Sequence, residues 1–205
     1  MTPGTAVELA NWRRRVAELY AAVRAAPDPA SGHATWRAGR DALFRDHPQS
    51  PLPADDPLRA TGLPSWPYDA ALRFEVPLRP APAARLELDT GADGTTTMER
   101  VGVLELPGVG TLDAWWLAQY GGGLFVPLRD GTAGDETYGG GRYLLDTAKG
   151  ADLGGHDGLV VVDLNLAYHP SCRYDPAWTC PLAPAGNRVD VPVRAGERLD
   201  APPAA

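Results

Sequence analysis

The chain is 205 residues long, carries 26 acidic against 19 basic residues for a formal net charge of −7, and is 44% hydrophobic. That is enough apolar material for one globular core, because single cores grow to about 250 residues. No apolar run approaches the roughly 18 residues that span a bilayer, and the opening stretch M-T-P-G-T-A-V-E-L-A-N-W-R-R-R lacks the apolar core of a secretory signal. An acidic balance with Lys149 as the sole lysine also argues against a surface built to neutralise phosphates. Composition therefore predicts a soluble cytoplasmic protein with neither a membrane nor a nucleic-acid partner. Cys172 and Cys180 are too few for a disulfide scaffold, and reduced thiols are expected.

Leu9, Trp12, Val16, Leu19, Tyr20 and Val23 recur at helical spacing, with Arg13, Arg14, Arg15 and Glu18 mainly between them. Thr5 and Glu8 stand in the T-x-x-E spacing of a capping box, which predicts a helix from about Ala6 that stops before Pro27-Asp28-Pro29. A second helix is expected over Ser31 to His47, with Trp36, Leu43 and Phe44 on one side and Pro48 as its end; the two form a hairpin over 6–47. His33 and His47 flank helix ends, where solvated or capping roles are expected.

From 48 to 67 the prolines at 48, 51, 53, 57, 64 and 67 exclude a helix interior or a central strand, leaving an ordered wrap or linker with Trp66 as an anchor. The period then becomes two: Leu72, Phe74, Val76 and Leu78 share a face opposite Arg73, Glu75 and Pro77. Similar segments follow at 85–89, 95–106, 111–120, 123–128, 142–147, 159–168 and 189–193, with Asp93-Gly94 and Pro107-Gly108 as turns. Eight strands at hairpin spacing predict an antiparallel sandwich or partly open barrel. The fold class is α+β in a single domain: the hairpin, the wrap, a β-rich body over 68–197 and a disordered tail over 198–205. Trp115 and Trp116 are neighbours on a strand, so one ring is expected in the core and the other beneath the helices.

Residues 128–142, L-R-D-G-T-A-G-D-E-T-Y-G-G-G-R, join charged and hydroxyl side chains to a run of glycines. Such a loop lets backbone amides approach an anionic or polar ligand; it equally makes a bulge or wide turn with Arg129, Asp130, Asp135 and Glu136 in water. The P-loop spacing is absent and a strand follows where a dinucleotide fold needs a helix, so no nucleotide or other cofactor is predicted. In the segment 159–168, Val160, Val162, Leu164 and Leu166 oppose Val161, Asp163, Asn165 and Ala167. Asp163 and Asn165 would then point together, either to solvent or into a pocket where Asp163 accepts a hydrogen bond or acts as a general base.

A long loop follows, anchored by Tyr168, Tyr174 and Trp178 and expected to fold over the sheet. Its His169, Cys172 and Cys180 have the spacing H-x2-C-x7-C, which matches no closed tetrahedral site, so no metal is predicted. Packed thiols, a reversible disulfide and a Cys–His nucleophile all remain open for the two cysteines.

The runs F-R-D-H-P-Q-S-P-L near 44–52, L-F-V-P-L-R-D-G-T-A-G-D-E-T-Y-G-G-G-R-Y-L near 124–144 and V-D-L-N-L-A-Y-H-P-S-C-R-Y-D-P-A-W-T-C-P-L-A-P-A-G-N-R near 162–188 resemble the bacterial and archaeal family catalogued as domain of unknown function 1684. The resemblance extends from about Trp12 to Glu197. It implies no reaction, substrate or cofactor, but it does imply that the two later runs are a shared signature. The positions it singles out are Arg129, Asp130, Thr132, Thr137, Tyr138, Gly139, Gly141, Arg142, Asp163, Asn165, Tyr168, Pro170, Cys172, Tyr174, Cys180, Pro181 and Asn187. The family pattern is nearer to L-D-F-N-R-A-Y-N-P, from which this chain departs at Leu164, Leu166 and His169, and that weakens an essential histidine at 169.

The expected function is binding of a small anionic ligand in a polar site of Arg129, Asp130, Tyr138, Arg142, Asp163 and Asn165, roofed by the loop 168–181, since an arginine fork matches a carboxylate or phosphate. One alternative is a hydrolase with Asp163 as base and Arg142 or the loop amides facing developing negative charge. The other is a structural or interaction module in which these residues only tie loops together.

Overall fold

In the computed structural model, which describes residues 2–89, 94–118 and 120–200, both long helices open on a proline. Helix α1 (Pro3–Arg24) is capped by Thr2, whose hydroxyl accepts from the amide of Thr5 at 3.1 Å. Helix α2 (Pro29–Asp46) is capped by Asp28, whose carboxylate accepts from the amide of Ser31 at 2.9 Å. Both begin earlier than the periodicity predicts, because a proline in the first turn has no needed donor to lose and its fixed φ suits the helix. The residue that ends one helix by exclusion thus opens the next. The helices approach closely at Gly39, where any Cβ would collide with Leu19.

The proline-rich segment is an ordered wrap. Leu52 and Leu63 are buried against Leu43 and Phe44, and Arg59 donates to the carbonyls of Arg45, Leu52 and Pro53 at 2.6–2.8 Å. It does contain one turn of helix, α3 (Leu58–Thr61), with Pro57 at its N-cap and no proline inside.

The β-rich body is two antiparallel sheets that do not close into a barrel. One has β1 (Arg73–Pro77), β8 (Leu159–Asp163) and β7 (Gly155–His156) in the order β1-β8-β7; the other runs β2 (Arg85–Asp89), β3 (Thr95–Leu106), β4 (Gly110–Leu117), β5 (Gly123–Leu128) and β6 (Arg142–Asp146) in sequence order. Together with the N-terminal helix pair this is the expected α+β class. Three details differ. The segment 159–168 leaves the sheet after Asp163, because the Asp163 carboxylate accepts from the amide of Asn165 at 2.9 Å and starts the 3-10 turn Leu164–Leu166. Residues 189–193 form no strand; they run beside 129–131 through a few bonds such as Val189 N–H to Arg129 O, and Pro192 has no donor to extend them. The two-residue β7 was not expected.

Period-two alternation sorts the large sheet into two faces. Leu104, Leu112, Val126, Leu128 and Leu144 enter the main core with Val162, Leu164 and Leu166, and Tyr20 and Trp36 join it from the hairpin. Met98, Trp115, Phe125 and Tyr143 make a separate cluster on the other face. Trp116 is 45% exposed, so it does not lie beneath the helices as expected. His33 and His47 are both buried, so neither is solvated; His47 caps α2 and accepts from the Gln49 amide through Nδ1. The turn at Pro107-Gly108 is present, with Gly108 at φ +78°. The turn expected at Asp93-Gly94 and the tail 201–205 lie outside the described residues, whereas Arg198 and Leu199, expected in that tail, donate to Pro64 O and Glu136 O.

Candidate functional site

The glycine-rich loop is closed by its own groups. Asp130 Oδ1 accepts from both the amide and the hydroxyl of Thr132, at 2.6 and 2.5 Å, and Thr132 and Thr137 hydroxyls lie 2.9 Å apart. Amides of 133–137 bond to loop carbonyls, and Gly141, at φ +90°, donates to Tyr138 O. At Gly141 a Cβ would meet the carbonyl of Leu128, so this glycine is required by backbone crowding. Arg129 Nε donates to the carbonyl of Gly139 at 2.9 Å. These bonds and those of the neighbouring segments engage the amides from 131 to 138 and that of Gly141, so that within 131–141 only Gly139 and Gly140 are without one among the described residues.

Arg142 is the hub of that loop and is 1% exposed. Its Nη2 bonds Asp130 at 2.5 Å and Val193 O at 2.9 Å, its Nη1 bonds Ala195 O and Glu197 O, and its guanidinium stacks on Trp66. Asn187 and Asn165 act similarly. Asn187, fully buried, accepts from Trp115 Nε1 at 2.8 Å and donates to Asp113 O and Pro127 O. Asn165 donates to Asp163 Oδ1 and Asp69 O and accepts from the Asp69 amide, each at 2.8 Å. Asp163 and Asn165 do meet, but through a turn and not through strand alternation.

The expected single pocket therefore divides. Asp163 lines a cleft of about 390 Å³ with Arg73, His156 and Leu153, a lining that does not include Arg142. Burial raises the Asp163 carboxyl above its usual range against the opposing effect of Asn165.

The 168–181 loop crosses from the sheet to the hairpin, as expected: Tyr143 donates to Pro181 O at 2.6 Å, and Tyr174 packs edge-on against Phe44. Beneath it lies a second cavity, of about 80 Å³, lined by Tyr20, Arg40, Tyr143, Asp146, Lys149, Tyr168, His169, Ser171 and Cys180 among others. By this measure a single water needs about 10–15 Å³, so the space suits a molecule of a few heavy atoms. Three of its lining residues, Tyr20, Arg40 and Asp146, each keep a buried polar atom (the hydroxyl, Nη2 and Oδ1) with no hydrogen bond of ordinary geometry among the described residues, although the Tyr20 hydroxyl is drawn on by the Trp36 ring nitrogen and Arg40 also borders a smaller cavity beside Ser65. Such groups in a folded interior ask for an explanation, because each unmet one costs about 1–3 kcal/mol.

The rest of the site is held firmly. Arg40 lies over the rings of Trp36, Phe44 and Tyr168 and donates from Nε to Glu197 at 2.6 Å. Burial alone would lower the Arg40 guanidinium, but the Glu197 carboxylate outweighs it and keeps it charged. Glu197 also accepts from the His169 amide at 2.7 Å and the Tyr174 hydroxyl at 3.4 Å. His169 Nε2 accepts from the Tyr138 amide at 3.2 Å, which places the ring proton on Nδ1, 3.8 Å from Glu197. Burial, with the nearby arginines 142, 173 and 40, holds His169 well below the ordinary imidazole value, so it is neutral. With Nε2 taken by the Tyr138 amide and no hydrogen bond to either sulfur, His169 does not pair with the cysteines. Among the described residues no three His, Cys, Asp or Glu side chains gather as metal ligands. Burial raises the Asp146 carboxyl, favouring the protonated form that can donate a hydrogen bond.

Cys172 and Cys180 are unbridged, and each perturbs the ionisation of the other. Cys172 Sγ and the Tyr138 hydroxyl lie 3.9 Å apart, a weak contact, while Cys180 packs on the Tyr143 cluster. Of the residues expected from sequence, Tyr168 and Cys180 line the cavity; Tyr138, Cys172 and Tyr174 back it; Arg129, Asp130, Thr132, Thr137, Gly139, Gly141, Arg142 and Asn187 lie outside its lining. The hairpin's Tyr20 and Arg40 and the C-terminal Glu197 were missed. A signal existed for Arg40: Trp36, Arg40 and Phe44 share one helix face, so a charge stands inside an apolar stripe.

Fold and site define an α+β protein in which a helical hairpin and a cysteine-bearing loop border a small, mainly apolar cavity with a few polar groups against an open antiparallel sheet. Residues 59–198 match the family described as "Protein of unknown function (DUF1684)", and the chain belongs to that family. Among solved structures it is similar to an uncharacterized protein of Haloarcula marismortui determined by solution NMR, at 34% identity and a TM-score of 0.58, over 80% of this chain and 90% of that one. No curated protein matches.

Proposed function

We propose that the protein binds a small anion, of the size of a short-chain carboxylate, in the cavity between the helical hairpin, β6 and the 168–181 loop. The observation that carries this reading is the set of buried polar groups on Tyr20, Arg40 and Asp146, none with a hydrogen bond of ordinary geometry among the described residues, on three residues that line one small cavity. A carboxylate meets them well. The Tyr20 hydroxyl and Arg40 Nη2 are donors, Asp146 donates when protonated, and Lys149 adds positive charge at the lining. The binding site thus retains the cysteine loop of the sequence reading but exchanges the glycine-rich loop for the hairpin; the Arg142 network holds the roof in place. A cytoplasmic protein without nucleic-acid partners fits its acidic composition. Titration of the isotope-labelled chain with acetate, propionate and glycolate, followed by amide NMR, tests the reading: shifts should centre on Lys149, His169 and Ser171, and shifts absent from these residues would reject it.

A second reading concerns the larger cleft, where Asp163 is raised by burial and its Oδ2 lies 4.0 Å from Arg73. There Asp163 would act as the base of a hydrolase. Ester or amide turnover abolished in Asp163→Asn with the fold intact would support it, and equal turnover in the variant would remove it.

A further inference from the structure

The two cysteines differ in what they face. Cys180 lines the cavity, while Cys172 sits behind it against the Tyr138 hydroxyl. The two belong to one loop whose intervening residues 176–179 are exposed and carry no regular structure, so the sulfurs can close without disturbing the sheet. We propose that Cys172 and Cys180 form a reversible dithiol–disulfide couple in which Cys180 reduces a small hydroperoxide entering the cavity and Cys172 resolves the product. This rests on the cavity admitting small polar molecules, as in the preceding reading, but it assigns it chemistry.

The Cys180 thiolate attacks the distal oxygen of ROOH; an S–O bond forms as the O–O bond breaks, and RO⁻ takes a proton from water and leaves as ROH. Cys180 is then a sulfenic acid, two electrons poorer. Cys172 sulfur displaces its hydroxyl, forming S–S and breaking S–O, and the Cys172 proton departs with hydroxide as water. An external dithiol returns the two electrons and becomes a disulfide itself.

The electrostatics agree with these roles. Under the influence of Cys172, and with Lys149 and Tyr143 nearby, the Cys180 thiol is lowered to about 6 despite burial. Cys172, under the influence of Cys180 and partly buried, is raised and stays a thiol. The lowered member of the pair is the one that lines the cavity.

The test uses the pre-reduced full chain and hydrogen peroxide, reading free thiols and intact mass from pH 5 to 8. The expected result is loss of both thiols together, at a rate that rises with a midpoint near pH 6. Cys180→Ser should react at least about 10-fold more slowly, since the remaining thiol does not line the cavity, and Cys172→Ser should accumulate a sulfenic acid at Cys180 that dimedone captures. Wild type reacting no faster than Cys180→Ser, or a midpoint above pH 8, overturns the proposal; the pH profile needs no variant. Acetate titration of Cys180→Ser separates the two readings. Acetate binding without peroxide consumption by wild type removes only the redox couple, and fast peroxide consumption without acetate binding supports the couple and removes only the anion.

Discussion

Arg40 and Glu197 are 157 positions apart in the chain, yet Arg40 Nε meets Glu197 Oε1 at 2.6 Å in the interior between α2 and the C-terminal segment. Their side chains are only 11% and 2% exposed, and Glu197 also holds the backbone of the cysteine loop through His169. One carboxylate thus fixes both walls of the cavity.

Glu197→Gln should destabilise the chain by about 3–5 kcal/mol, the usual cost of leaving a buried charge without its partner. Urea denaturation at neutral pH measures it. A loss under about 1 kcal/mol would mean that Arg40 finds another counter-charge.

Arg142→Lys should be nearly as harmful as Arg142→Met, because an ammonium cannot serve Asp130 and the carbonyls of Val193, Ala195 and Glu197 together. Both variants should lose about 3 kcal/mol or more in urea denaturation. Lysine restoring full stability would contradict the hub assigned to this arginine.

Tyr20→Phe removes a hydroxyl that makes no hydrogen bond of ordinary geometry among the described residues. Without carboxylate the variant should be as stable as the wild type, or up to about 1 kcal/mol more stable, while acetate binding weakens about tenfold, the worth of one hydrogen bond. Calorimetric melting with and without acetate reads both effects. Equal loss of stability in both conditions would assign the hydroxyl a purely structural part.

Acid should weaken the fold below about pH 6.5. His169 is held neutral in the folded chain, with its pKa well below the ordinary value, so the unfolded chain takes up the proton first and gains stability as pH falls. His33 and His47 are lowered by burial and act in the same direction. The raised carboxyls of Asp146 and Asp163 act oppositely: the folded chain takes up their protons first, so their stabilising effect sets in above the unfolded value of about 4 and is complete below it. The urea midpoint should drop between pH 7.5 and 5.5, and drop less in His169→Asn. Identical pH dependence in the two proteins would show that His169 is not the group responsible.

The helical hairpin, the wrap and most strands were legible because each rests on a local rule: apolar spacing, proline exclusion or alternation. Errors arose where one side chain overrode the period. The Asp163 carboxylate ended a strand that its apolar residues continued on paper, and Thr2 and Asp28 began helices before the apolar stripe did. The site was legible only in part. The signature residues are mostly internal struts, because polar side chains that tie loops together look, in a sequence, like polar side chains that await a ligand. Arg142 and Asn187 illustrate this: their hydrogen bonds tie separate loops and strands to one another. The cavity needs Tyr20 and Arg40 from helices far away in the chain, and no spacing rule links those helices to Cys180.

The most direct measurement of the central claim is an amide NMR titration of the reduced chain with acetate, run in parallel on wild type and Tyr20→Phe. Saturable shifts at Lys149, His169 and Ser171 that weaken about tenfold in the variant are the predicted result. Unchanged spectra, or shifts confined to Arg73, His156 and Asp163 at the other cleft, would contradict it.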